Sequence, residues 1–293
     1  MRASSQLVER VTVVADYKCA LGENPLWHAE KSRLLWTDIT NGKLFWLDPV
    51  SRNHGVLYQG LPVGGFTIQT DGSLLLFKEN GAITRLKDGT EMTLITEIPA
   101  ERGLRFNDVI ADPLGRVLCG TYAEGKPGRL YRLDTDGSLT MLLDGIGCSN
   151  GMAFSIDQKF LYYIDSIARH VYRFAYDPKH GSLSDQRVFY AANPEDGLPD
   201  GCTLDSEGYL WVAFWNGACI KRLNPNGNVD KTINIPAKMS TSLTFGGPNL
   251  TDIYVTSAGG EKRSATDPLA GALFHMRSQI RGVPEFSSRV AFL

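Results

Sequence analysis

Long apolar runs are missing from this 293-residue chain. Nothing in it approaches the about 20 consecutive apolar residues of a membrane-crossing helix. The opening stretch, Met1 to Tyr17, lacks the apolar core of a secretory signal. The expectation is a cytoplasmic protein with no membrane partner. Basic stretches are missing too. The 30 Lys and Arg face 32 Asp and Glu, for a net charge of −2, and no run tracks a phosphate backbone. Nucleic acid is therefore not an expected partner. Cysteines are few and odd in number: Cys19, Cys119, Cys148, Cys202 and Cys219, with no CxxC pair. Reduced thiols are the simple reading. The five histidines show no HxH or HExxH spacing. Helical periodicity is scarce as well.

What is present is a soluble composition, 43% apolar and 21% charged, with 30 glycines. Short strand-like runs alternate with Gly, Asn and Asp turns, which points to an all-β fold. Six of these runs share one phase: Leu34–Asp38, Leu74–Lys78, Val117–Thr121, Leu161–Asp165, Leu210–Phe214 and Ile253–Ser257. Their starts lie roughly 40 to 50 residues apart, the period of a four-stranded propeller blade. A second strand follows each run, and five of those six end in Asp or Asn with Pro or Gly, which is turn chemistry. One such sheet cannot bury both its faces, but six packed radially can. The fold expected is a six-bladed β-propeller in a single domain, 1–293. Arg10–Tyr17 precedes the first repeat and is predicted to supply the outer strand of the last blade, removing an exposed edge.

The repeat phase also selects a site. About ten to twelve residues before the second-strand run of each unit lie Glu23, Gly65, Asn107, Asn150, Asp200 and Ser242. Each begins or just precedes an innermost strand, so these residues ring one end of the central channel. Two carboxylates and two amides crowded there repel or go unsatisfied unless a cation completes them. Hard oxygen donors without a Cys or His cluster favour calcium, magnesium or manganese over a structural zinc.

The stretch Ile146–Ser155 contains Gly147-x-Ser149-x-Gly151, the pattern of a nucleophile elbow. An elbow needs strand, sharp turn and helix. Here "MAFSIDQKFLYYID" follows, which reads as strand, turn, strand. Ser149 is therefore read as a supporting or purely structural hydroxyl and Asn150 as the member that faces the channel, with Gly151 permitting a close approach. Among the aromatics, Trp27, Trp36, Trp46 and Trp211 read as blade core, whereas Trp215 sits in a loop where it could meet a ligand.

The motifs "GENPLW", "RFNDV", "SNGMAF", "LYYIDS", "PDGCTLDSEGYLWVAFWNG" and "STSLTFGG" strongly resemble the regucalcin/gluconolactonase family. The likeness runs from Glu23 to about Gly247. It implies the same six-bladed propeller, one divalent ion in the channel and hydrolysis of a small sugar lactone. By resemblance the ion's ligands are Glu23, Asn150 and Asp200, with calcium the first candidate and zinc, manganese, magnesium or iron as alternatives. Arg105 and Asn107 would hold the substrate. Glu124 matches the first acid of a family "TMAEE"-like motif, while Gly125 replaces the second. Asp200 is the candidate general base, a metal-bound hydroxide the competing nucleophile, and the ion the electrophile that polarises the lactone carbonyl. Asp108, beside Asn107, is read either as a supporting partner of the site or as a turn cap. Two alternatives use the same residues: phosphotriester hydrolysis, and calcium binding without catalysis. A propeller serving only as a protein platform would need no such ring of oxygens.

Overall fold

The computed structural model describes residues 10–291. The ends of the expected domain, residues 1–9 and 292–293, lie outside the described residues. Strand β1 (Thr12–Ala15) comes first. Blade 1 is β2 (Gly22–His28), β3 (Arg33–Asp38), β4 (Lys43–Leu47) and β5 (His54–Gln59). Blade 2 is β6 (Val63–Ile68), β7 (Leu74–Lys78), β8 (Ile83–Lys87) and β9 (Thr90–Ile95). Blade 3 is β10 (Arg105–Ala111), β11 (Val117–Tyr122), β12 (Gly128–Leu133) and β13 (Leu139–Ile146). Blade 4 is β14 (Ser149–Phe154), β15 (Phe160–Asp165), β16 (His170–Asp177) and β17 (Ser182–Ala191). Blade 5 is β18 (Leu198–Leu204), β19 (Leu210–Trp215), β20 (Cys219–Leu223) and β21 (Val229–Asn234). Blade 6 is β22 (Ser240–Gly246), β23 (Asp252–Ser257) and β24 (Leu273–Arg277), completed on its outer edge by β1. Each blade is a four-stranded antiparallel sheet, so the molecule is the six-bladed β-propeller expected. The closing strand is the amino-terminal one, with Thr12 opposite His275 and Val13 opposite Phe274.

The two-residue period of a strand explains why the apolar runs look continuous. Leu34 and Trp36 pack toward blade 6, with Tyr254 and Leu273, while Leu35 between them packs toward blade 2, with Val63 and Phe66. Each sheet is thus apolar on both faces because a neighbour covers both. Six buried clusters result, one per blade interface. Trp36 and Trp211 are fully buried in them, as expected, and Trp211 meets Phe245 across the blade 5–6 boundary edge to face at 5.7 Å. The outermost strands are largely exposed, as in β21 (only Ile233 half-buried). That weak patterning leaves the fourth strand of each blade without an apolar signature in the sequence.

Residues 278–291 form a strap that no repeat announces. Ser278 and Gly282 donate backbone hydrogen bonds to Thr251 and Leu250 of blade 6, and Val283 to Leu204 of blade 5. Phe286 meets Phe154 of blade 4 at 6.1 Å. Ser288 then bonds to Ile68 of blade 2, and Arg289 to Gly115 of blade 3. The strap crosses the ring where inner strands β6 and β18 end, the face opposite their first residues.

Candidate functional site

Each inner strand carries one extra residue near its start. Glu23 pairs with Thr37 but Leu26 with Leu35; Phe106 pairs with Thr121 but Val109 with Cys119. The same three-against-two step falls between Ser149 and Met152, Pro199 and Cys202, and Ser240 and Leu243. Blade 2 has a shorter irregularity between Val63 and Gly65. A bulge re-aims side chains and bends its strand. Here it turns Asn107, Asn150 and Asp200 to the axis. At Gly151 it also brings two strands together: a Cβ there would lie 2.6 Å from the Asp200 carbonyl oxygen and 2.6 Å from the Cys202 nitrogen. Gly151 is needed for that approach, as the sequence suggested. Replacing it with Ala is expected to lower stability by about 1–3 kcal/mol and to depress turnover by displacing Asp200; a thermal melt read beside kcat checks both.

Two aspartates anchor the loops that lead into the site. Asp38, the last residue of β3, accepts hydrogen bonds from the Ala20 and Leu21 nitrogens at 3.1 Å each, just ahead of Glu23. Asp165, the last residue of β15, accepts from Gly147 and Cys148 at 3.0 Å each, just ahead of Asn150. The Asp that ends "LLWTD" and "LYYID" is therefore a loop anchor repeated at the same phase.

Glu23, Arg105, Asn107, Asn150 and Asp200 line one cavity of about 230 Å³, with Cys148 and Ser166 and a mostly apolar rim of Leu21, Tyr122, Ile167, Leu198 and Trp215. Five predicted residues from four blades thus share a cavity, and Trp215 joins them. Asn150 donates Nδ2 to Ser166 Oγ at 3.0 Å, and that hydroxyl gives its own proton to the Pro199 carbonyl at 2.6 Å. Ser166 can then only accept from Asn150, so the amide's Oδ1 is left for the cavity. Asp200 Oδ1 is buried with no donor. Glu23 receives only a long bond, 3.3 Å, from the Asn24 nitrogen. Burial raises both acids well above the carboxylate range, Glu23 further through the charges of Asp200 and Asp108, and Asp200 through that of Asp108.

Arg105 uses Nη1 for the Asn107 Oδ1 at 2.5 Å and the Phe106 carbonyl at 3.0 Å. Asn107 is held in turn by Nδ2 on the Ser149 carbonyl at 2.8 Å. Among the described residues no carboxylate pairs with Arg105, and its Nε and Nη2 have no acceptor. Burial lowers its pKa. The arrangement is a fixed guanidinium fork with free donors beside a group of oxygens short of donors.

Glu124 does not line this cavity. It is exposed and borders an adjoining one of about 380 Å³ with Glu79 and Asn80, and the two cavities share Arg105 and Tyr122. Ser149 lies within β14, fully buried, with its Oγ unpartnered and no helix after it, so it makes no elbow. All five cysteines are free and buried. Cys148 nevertheless faces the cavity, with burial pushing its thiol up. The sequence marks Cys148 only as one of five reduced thiols and does not mark Ser166 or Tyr122; their only signal is proximity to the site motifs.

Below this cavity a second, small one of about 40 Å³ is lined by Asn24, Asp108, Cys202, Glu285 and Phe286, among others. The bulge after Phe106 thus sends Asn107 to one level of the channel and Asp108 to the next. Asp108 accepts from the Val109 nitrogen at 2.8 Å, and burial raises it to about 7. Glu285 lines this small cavity and keeps part of its surface exposed; desolvation by the surrounding protein, then the charge of Asp108, raises it to about 7. A carboxyl raised in the folded state stabilises fully below its unfolded pKa and loses that contribution as pH climbs through the folded value. Glu285→Gln is therefore expected to melt higher than the parent above pH 7, by ~1 kcal/mol after allowance for solvent screening of an exposed side chain. The two should converge near pH 4, with melting followed in chelator-treated protein.

A family profile described as "SMP-30/Gluconolactonase/LRE-like region" matches residues 21–259. Pentonolactonase XacC of Haloferax volcanii is 43% identical over 290 residues, covering 96% of this chain and 98% of that protein. Regucalcin of Xenopus laevis is 33% identical, covering 85% of this chain and 87% of that one. Among solved structures, a luciferin-regenerating enzyme aligns with TM-score 0.88 at 28% identity, covering 96% of this chain and 99% of that one. Among the described residues no helix is long and apolar enough to cross a membrane.

Proposed function

The chain belongs to the SMP-30/Gluconolactonase/LRE-like family, and on that footing we propose that it is a metal-dependent sugar lactonase that opens an aldonolactone to its aldonic acid. One observation carries this reading. Asp200 Oδ1 is buried without a donor and Glu23 accepts only one long hydrogen bond, in the same cavity as Asn150 and beside an arginine fork with free donors. The relative named pentonolactonase, similar along nearly the whole length, supplies the class of substrate.

The residues fit a divalent cation. Two raised carboxyls and an amide oxygen turned inward by Ser166 gain what they lack if a cation sits among them. An all-oxygen donor set suits calcium first, with magnesium and manganese close behind and zinc and iron less favoured. Bound by Glu23, Asn150 and Asp200, the ion would supply Lewis acidity at the lactone carbonyl. Arg105 directs Nε and Nη2 at ring or hydroxyl oxygens of the sugar, and Asn107 fixes the angle of that fork. Asp200 takes the proton of the attacking water at Oδ2. The water oxygen bonds to the carbonyl carbon, the ring C–O bond breaks, and the proton passes to the leaving ring oxygen. The rim of Leu21, Ile167, Leu198 and Trp215 covers the C–H faces of the sugar and limits bulk water. Glu124, in the adjoining cavity, would meet only a substituent reaching past Arg105 and Tyr122.

The test is a pH-stat screen of sugar lactones, with a phosphotriester alongside, on metal-stripped protein given a panel of divalent ions. Lactone turnover that appears only with an added ion supports the proposal. Turnover of the phosphotriester alone, or of nothing with any ion, overturns it.

A further inference from the structure

The segment that delivers Arg105 to the cavity is clamped from two blades. Asn80, in the β7–β8 turn of blade 2, accepts the Ile98 amide on its carbonyl at 2.9 Å and gives its own amide to the Leu104 carbonyl at 2.8 Å. Its Oδ1 accepts the Gly103 amide at 2.8 Å. From the other side, blade 3 holds Glu101, the last residue of the 3₁₀ turn Pro99–Glu101. Its Oε1 accepts from the Tyr131 hydroxyl at 2.6 Å and from Arg129 Nη1 at 2.8 Å, and Arg129 also bonds the Ala100 carbonyl at 3.2 Å. Glu101 then accepts the Leu104 amide on its own carbonyl at 2.9 Å, one residue before Arg105.

The carboxylate at the centre of this clamp is fully buried, and its second oxygen, Oε2, has no partner. A buried acid with an unmet oxygen is an expensive way to fasten a loop. What the loop delivers accounts for it. Arg105 has no carboxylate partner of its own, so its backbone, Asn107, the Phe106 carbonyl and the Tyr122 ring, 5.4 Å from its guanidinium carbon, fix where its fork points.

We propose that Glu101 is a positioning residue for lactone hydrolysis: through Tyr131 and Arg129 it locks the segment before Arg105 so that the guanidinium meets the substrate at one fixed angle. The proposal rests on the reading of Arg105 as a substrate-holding group. It is separate from the cation, whose ligands come from blades 1, 4 and 5, whereas Glu101 and its partners belong to blade 3 and the loop entering it.

The test is a double-mutant cycle on kcat/KM for the best sugar lactone, using Glu101→Gln and Arg105→Lys, with divalent-ion affinity measured on each protein. Glu101→Gln alone is expected to lower kcat/KM about 5- to 10-fold, but less than about 2-fold when Arg105 is already Lys. Ion affinity should match the parent's throughout. Should Glu101→Gln fail to fold, Tyr131→Phe, which removes one of the two donors, enters the same cycle with a smaller loss. Equal losses in both backgrounds, or no loss in the parent background, overturn the proposal and leave the lactonase reading standing. Parental turnover in Arg105→Lys overturns the role of Arg105 and the positioning proposal together.

Discussion

Asp200→Asn is expected to abolish turnover while leaving the propeller at least as stable as before. The substitution keeps the size of the side chain and removes the two things the proposed function asks of Asp200: an anionic oxygen for a cation, and an acceptor for the water's proton. General-base removal alone costs roughly 10²–10⁴-fold, and loss of the Lewis acid adds to it, so kcat should fall by about 10³-fold or more. Stability moves the other way. Asp200 is held well above the carboxylate range by burial and by Asp108, and it raises Glu23 in turn. The folded state therefore binds protons more tightly than the unfolded chain, and its contribution is lost as pH rises through the folded value. Without a cation at neutral pH, the parent carries this repulsion and the Asn variant does not. Chelated Asp200→Asn should melt at or above the chelated parent, and added divalent ion should raise only the parent. A variant that loses both activity and stability would show Asp200 to be an ordinary structural residue.

Arg105→Lys should lower kcat/KM by roughly 30-fold, about 2 kcal/mol, without altering ion binding. Lysine preserves the positive charge, so the field at Glu23 and Asp200 is kept and the comparison isolates geometry. What is lost is the planar fork whose one arm rests on Asn107 and the Phe106 carbonyl while the other donors stay free. An ammonium cannot hold Asn107 and reach a sugar oxygen at once. A parallel measurement on Asn107→Ala should show a smaller loss in the same direction, because that amide accepts from Arg105 and shares its task. Full turnover in Arg105→Lys would mean that only charge matters at this position.

The blade count and ring closure were legible in the sequence because each second strand packs against two neighbours and so repeats its apolar pattern at one phase. Leu34, Leu35 and Trp36 show the reason: alternate residues serve alternate interfaces. Glu23, Asn107, Asn150 and Asp200 were legible for the same reason, as oxygens recurring where apolar residues were not needed. The bulges were not, since an extra residue in a strand leaves no mark on composition. Consequently Asn107 and Asp108 read as one motif, although the structure sends them to different levels of the channel. Glu285 was invisible for a simpler cause: the strap carrying it belongs to no repeat and is placed by backbone hydrogen bonds to five separate loops and strand ends. Ser166 went unremarked because its role, orienting the Asn150 amide, depends on the Pro199 carbonyl of the next blade.

The lactonase proposal stands on Glu23, Asn150 and Asp200 together binding one divalent ion. Calorimetric titration of calcium into chelator-treated protein, for the parent and for Glu23→Gln, Asn150→Ala and Asp200→Asn, tests it most directly. One ion per chain is expected in the parent and at least about 100-fold weaker binding in each variant, as loss of a ligand from a small site entails. Undiminished binding in all three variants, or no binding by the parent of any divalent ion that supports turnover, would contradict it.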